Sequence, residues 1–352
     1  LSAFLHAIGT AVPHHDVHQA FIGWARQQLT GAREAALFDR MAGRAGIAHR
    51  WSVLPQTSDP TGPDGFYAAD RWPGTAARMD IYAQAAPALA IRAVDDLAGK
   101  VPLNGITHLV VASCTGFVAP GIDQIIAARL DLLPSTERVL IGFMGCYAAV
   151  AALRTARHIV RSEPAARVLV ITVELSTLHL QATGDLEALL AMLQFGDGAA
   201  AALVTGASGG FDLGQPFATT LPESAELIRW TVTDHGFAMH LSGEVPGRIA
   251  AALADPAFAL AATGGMSPAA VDGWAVHAGG RSILEAVERS LDLPDDSLSA
   301  SRAVLSDNGN MSSSTLMFVL ARLLDGPRID QGVALAFGPG LAAEGFRFAS
   351  AA

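Results

Sequence analysis

The chain has 352 residues, of which 51% are hydrophobic and 16% charged. That balance excludes a disordered or polyelectrolyte protein and supplies a core for two ordinary domains or one large duplicated one. A formal net charge of −10 and a pI near 5.5 exclude a general nucleic-acid binder, which needs a basic face. Every apolar run is broken by Gly, Pro or charge before the roughly 18 to 20 residues a membrane span requires.

The apolar stretch Leu1–Pro13 lacks a basic leader and a cleavage site, and it reads as a first strand over Phe4–Ile8 rather than a signal peptide. Helical spacing follows over Asp16–Leu29. The segment Arg40–Arg50 then gathers three Arg and one His, with no acid between Asp39 and Asp59. It is either solvated charge on a helix face or a local site for an anionic ligand. Next come a helix over Met79–Leu97, a strand over His108–Ala112, a helix over Gly121–Leu130 and a strand over Val139–Gly142. A helix over Tyr147–Arg161 and strands over Val168–Val173 and Ala199–Val204 complete a first half, residues 1–210. The second half, 211–352, has strands near Leu227–Thr233, Trp274–Val276, Val333–Phe337 and Ala342–Phe348, and helices over Val245–Ala254, Arg281–Ser290 and Met311–Leu323. Strands alternating with helices of this length predict an α/β protein with largely parallel sheets buried on both faces.

The two halves echo each other at one offset of 164: Ser113 falls on His277, Cys146 on Asn310, and Val168–Val173 on Gly332–Phe337. Three elements in one register indicate internal duplication. Two similar halves packed face to face give a five-layer α/β/α/β/α body, with a site where corresponding strand ends meet near the pseudo-twofold axis.

Cys146 lies in GFMGCYAAVAALRTARHIV, a strand, a glycine turn and a helix, so its thiol is at a helix N-terminus, where free N–H groups stabilise a thiolate or an oxyanion. His277 ends the strand GWAVH before a glycine pair. Asn310, in DNGNMSSSTLMFVLARL, could serve only as a helix cap; the offset makes it the mate of Cys146, so the two side chains should approach each other. The two cysteines, Cys114 and Cys146, form no disulfide scaffold and fit a reducing, cytoplasmic setting. The glycine turn FGPG at Phe337–Gly340 lets backbone come close to a ligand or to the catalytic turn.

GFMGCY, QFGDGAAAALV, WAVHAGGRSIL, GNMSSSTLMFVL and AFGPGLAAEGF, in this order, resemble chalcone-synthase-like type III polyketide synthases over essentially the whole chain. The resemblance implies a thiolase-like fold and a catalytic set of Cys146, His277 and Asn310. The implied substrates are an acyl-CoA starter and malonyl-CoA. A homodimer is implied, and no metal or redox cofactor. Phe195 matches a gatekeeper phenylalanine. Met239 replaces the second gatekeeper with a softer side chain. Arg40 and Arg44 match positions that face CoA phosphates, while a third basic position is Leu37 here. Cys114, Thr115, His179, Ala191, Trp230 and Ser312 match cavity-lining positions. Trp230 and His179 are larger than in plant relatives and should shrink or redirect the space. The product implied is an aromatic or pyrone polyketide: malonyl-primed and tetrahydroxynaphthalene-like, or an alkylresorcinol or alkylpyrone. The rivals are a single-round ketoacyl synthase using an acyl carrier protein and a catalytically dead partner subunit.

Overall fold

A computed structural model of the protein describes residues 2–55 and 59–352. The first half runs β1 (Phe4–Ala11), β2 (His15–Asp16), α1 (His18–Gln28), α2 (Ala32–Ala42), β3 (Trp51–Ser52), α3 (Thr75–Ala98), β4 (His108–Ser113) and α4 (Ile122–Arg129). It continues through β5 (Glu137–Gly142), α5 (Ala148–Ser162), β6 (Arg167–Leu175), α6 (Leu186–Met192) and β7 (Asp197–Thr205). The second half opens with β8 (Phe211–Thr220), the hairpin β9 (Ile228–Thr233) and β10 (Gly236–Leu241), α7 (Val245–Ala254) and α8 (Pro256–Ala262). It ends with β11 (Gly273–Val276), α9 (Arg281–Ser290), α10 (Ser299–Asn308), α11 (Ser313–Leu324), β12 (Gly332–Gly338) and β13 (Ala342–Ser350).

Five strands in the order β5-β4-β6-β7-β1 and four in the order β8-β13-β12-β11 join through a short β1–β8 pairing, Phe4 with Asp212 and Leu5 with Phe211. The alternation of apolar side chains explains the layering. Val168 and Val170 of β6 face the central core, while Leu169, Ile171 and Val173 face an outer one under α3. Ala334 and Ala336 of β12 point back to that central core, and Val333, Leu335 and Phe337 to a third, under α7 and α9. Helices α5 and α11 fill the centre, so the order is helices, sheet, helices, sheet, helices: the five layers of a thiolase-like fold.

Two expectations change. The sheet is not largely parallel: β4–β5, β4–β6 and β11–β12 are parallel, but β1–β7, β6–β7, β12–β13, β8–β13 and β1–β8 are antiparallel. The short turn after β12 sends β13 straight back beside it, which no crossover helix does. The repeat also breaks at one element. An offset of 164 carries β4 onto β11, α5 onto α11 and β6 onto β12, but β5 onto α10. Ser301, Val304, Leu305 and Asn308 are the buried side of that helix, a spacing that suits a helix and not a strand.

Candidate active site

Strand β5 ends at Gly142, and the chain turns through Phe143 (φ 57°) and Gly145 (φ 71°) into a short 3-10 turn that leads to α5. Gly145 is required twice over. Its φ is positive, and a Cβ there would lie 2.4 Å from Pro339 Cδ. A Cβ on Gly338 would lie 3.2 Å from the Cys146 nitrogen, so the FGPG turn does press against the catalytic turn. The Gly145 N–H donates to Cys114 Sγ at 2.9 Å, which ties the end of β4 to the same turn.

Cys146 is 8% exposed and lies beside residues from the other half. Burial pushes its thiol up to about 12, and the neighbouring Ser312 hydroxyl and Asn310 carboxamide offset this only in part. The expected helix-end stabilisation of a thiolate is therefore outweighed in the empty site. Asn310 is locked. Its N–H donates to Gln194 O (2.7 Å), its Oδ1 accepts from Ser312 N (2.8 Å), and its Nδ2 donates to Gly279 O (3.2 Å). Ser312 holds this arrangement at φ 48°, a strained value for a residue with a side chain.

His277 follows β11 and is 1% exposed, with its N–H on Leu335 O. Its ring lies against Gly279, whose Cβ would be 3.5 Å from Nε2, so the imidazole and the Asn310 amide flank one glycine. Neither ring nitrogen has a hydrogen-bond partner, the thiol included, and burial pushes the pKa down to about 3. The imidazole is neutral, so one nitrogen can accept a proton and the other can donate one to a ligand.

Beside this group lies a cavity with about 930 Å³ of space outside the atoms, its mouth to solvent included. Phe195, Met239, Cys114, Thr115, His179 and Trp230 all line it, as the motifs predicted. Phe195 also pairs through its backbone with Asn310, which joins this wall to the Asn310 loop. Two expected cavity positions are absent from its wall. Ala191 is buried within α6, where Ala188 and Met192 face the space instead, and Ser312 lies beneath the Cys146 sulfur. His179 is fully used: Nε2 meets Thr115 O at 2.6 Å, so it carries the proton, and Nδ1 accepts from Phe237 N. Burial lowers its pKa to about 4, leaving a neutral ring stacked 4.2 Å from that of Phe237.

A family model for chalcone and stilbene synthases, N-terminal domain, matches residues 2–208, and its C-terminal counterpart matches 212–352. The chain belongs to the chalcone and stilbene synthase family. It is 36% identical over 285 residues to the alpha-pyrone synthesis polyketide synthase-like Pks18 of Mycobacterium tuberculosis, covering 77% of this chain and 72% of that one. It is 33% identical over 366 residues to bisdemethoxycurcumin synthase of Oryza sativa, covering 95% and 89%. PKS-I of the brown alga Ectocarpus siliculosus superposes with a TM-score of 0.89 at 29% identity, over 99% and 98% of the two chains. The protein is thus a type III polyketide synthase, and members of this family are acyltransferases that catalyse decarboxylative condensation.

In this synthase the motif reading missed several buried ionisable groups, Glu174 and Arg50 among them. Glu174, in β6, accepts from Cys114 N and Thr115 Oγ1 at 2.9 Å each and from Ser313 Oγ, and burial pushes its carboxyl up to about 7. A lone acid at the end of an apolar strand was its only sequence signal. Arg50, counted in the basic patch, is 2% exposed rather than solvated. Arg40 and Arg44 are exposed at the end of α2 and do not line the cavity. Among the described residues no cluster of three His, Cys, Asp or Glu could hold a metal. No single helix there is long and apolar enough to cross a membrane; α7 and α8 pass that test only as a pair bent by 97°.

Proposed function

We propose that this synthase loads an acyl-CoA starter on Cys146, decarboxylates malonyl-CoA, condenses iteratively and cyclises the chain to an aromatic or pyrone product. One observation carries the reading: the Cys146 sulfur lies beside the Asn310 amide, and the His277 ring packs on Gly279, whose carbonyl that amide bonds. In loading, His277 takes the Cys146 proton, the thiolate attacks the thioester carbonyl, and the departing CoA sulfur receives that proton. In extension, the bond from malonyl carbon to carboxylate breaks and CO2 leaves. The electron pair becomes a thioester enolate, its carbon attacks the acyl-cysteine carbonyl, and the acyl–sulfur bond breaks to release the Cys146 thiolate. The elongated chain, now a CoA thioester, is then transferred back to Cys146 with CoA leaving. Negative charge grows on oxygen in both steps, where N–H donors of His277 and Asn310 stabilise it in a dry site. Holding the chain on Cys146 retains it between rounds. Similarity to the mycobacterial alpha-pyrone synthesis polyketide synthase-like relative favours a pyrone among the products.

Arg40 and Arg44 meet the CoA phosphates outside the cavity. A second copy covers β5, an edge strand whose Val139 and Leu140, with Phe143 beyond it, are 39%, 46% and 47% exposed. That homodimer should fall apart in Leu140→Lys, read by sedimentation. The two unpaired thiols fit a cytoplasmic setting. Radiolabelled acyl-CoA should label Cys146 without any carrier protein. No label would favour an inactive subunit, and a need for malonyl carrier protein would favour a single-round ketoacyl synthase.

A further inference from the structure

We infer that the cavity receives the acyl chain and selects, through Arg50 and Ser176, a chain that carries an oxygen acceptor. This rests on the condensing-enzyme reading and adds a substrate class to it.

Val17, Ala20, Phe21, Leu54, Ala188 and Trp230 give the cavity a mostly apolar wall. One of its few polar groups is charged and incompletely bonded. Arg50 Nε donates to His18 Nδ1 at 3.0 Å, and Nη1 donates to Met192 O at 3.1 Å and Phe195 O at 2.7 Å. Its guanidinium carbon sits 4.6 Å over the Phe21 ring. Among the described residues it has no ion pair within 4.0 Å, and Nη2 has no hydrogen-bond partner. Ser176 Oγ, on the same cavity wall, also has none.

Burial lowers Arg50 only to about 10, so the group is cationic at neutral pH. A buried donor left unmet is costly. An oxygen on a bound acyl chain that reaches it supplies the missing bond, and a methyl group does not. Asp59 on the wall argues against a strict requirement for a carboxylate, and Asp197 nearby is held neutral up to about pH 7. The shared chemistry is an oxygen acceptor, from either the starter's own terminus or a ketone of the growing chain.

The test loads Cys146 from acyl-CoA starters of graded length, each ending in methyl, ketone or carboxylate, without malonyl-CoA. At one length an oxygen-terminated starter should exceed its methyl analogue in kcat/KM for acylation by at least about tenfold. Arg50→Met should bring that ratio to near one. Because Arg50 also holds the Phe195 carbonyl, this variant could misfold; Ser176→Ala and Ala20→Phe, which leave those bonds alone, should lower the same ratio. If starters show no preference but these variants change the number of extensions, the acceptor is a ketone of the growing chain and the inference stands. No preference at any length, together with unchanged products in all three variants, would overturn it. Failure of every starter to label Cys146 would instead overturn the parent reading, and this one with it.

Discussion

Trp230 and Met239 stand directly opposite each other in the β9–β10 hairpin, and both side chains line the cavity. The softened gate and the enlarged wall residue are therefore one cross-strand pair, and neither can be altered without changing the other's packing. Trp230→Gly should admit bulkier starters or give longer products, with the kcat/KM ratio of bulky to small starters rising at least about tenfold. Combined with Met239→Ala the effects should be non-additive. Mass spectrometry of products across a starter panel checks this, and an unchanged profile would remove Trp230 from the specificity wall.

Cys146→Ala should abolish both acyl-enzyme and product, a loss of at least about four orders of magnitude, while costing only about 1 kcal/mol of stability. Undiminished product would overturn the nucleophile.

His277→Gln tests the partner. With burial as the first cause, the thiol stands at about 12 even beside His277, so attack requires the imidazole to take the proton as the sulfur reacts. In the variant, iodoacetamide alkylation at neutral pH should slow by about a hundredfold or more. Equal alkylation rates in the variant and the parent would show that His277 does not activate the sulfur.

Much of this was legible in the sequence. The offset of 164 made Asn310 the mate of Cys146, and their side chains do meet. The glycine turns announced a close approach, and Gly145 does pack on Pro339. Other features were hidden for physical reasons. Strand β8 carries Gly214 and Pro216, which weaken its local signal, and it is held by pairing with β13 far along the chain. Helices α2, α6, α8 and α10 are 7 to 11 residues long and depend on tertiary packing. Arg50 read as surface charge because it neighbours exposed Arg40 and Arg44 in the chain, and no local pattern shows that β3 carries it inward.

Arg40→Glu and Arg44→Glu should each raise KM for malonyl-CoA several-fold with kcat little changed, an effect that added salt diminishes, because both side chains are solvent-exposed. A fall in kcat at unchanged KM would contradict a role in holding CoA.

Glu174→Gln tests whether the buried acid beside Cys114 is held neutral. Its folded pKa of about 7 lies above the 4.5 of an unperturbed carboxyl, owing first to burial. Between those values the native state keeps a proton that the unfolded chain has lost. The stability this group contributes is complete below about pH 4.5 and is lost as pH rises through about 7. Glutamine does not titrate, and it can still accept from Cys114 N and donate to Ser313 Oγ. The variant should therefore gain on the parent as pH rises from about 5 to about 8, by up to on the order of 3 kcal/mol. Urea unfolding at several pH values measures it. A stability difference that stays constant over that range would mean the carboxyl is already ionised in the folded protein, its three donors outweighing the cost of burial.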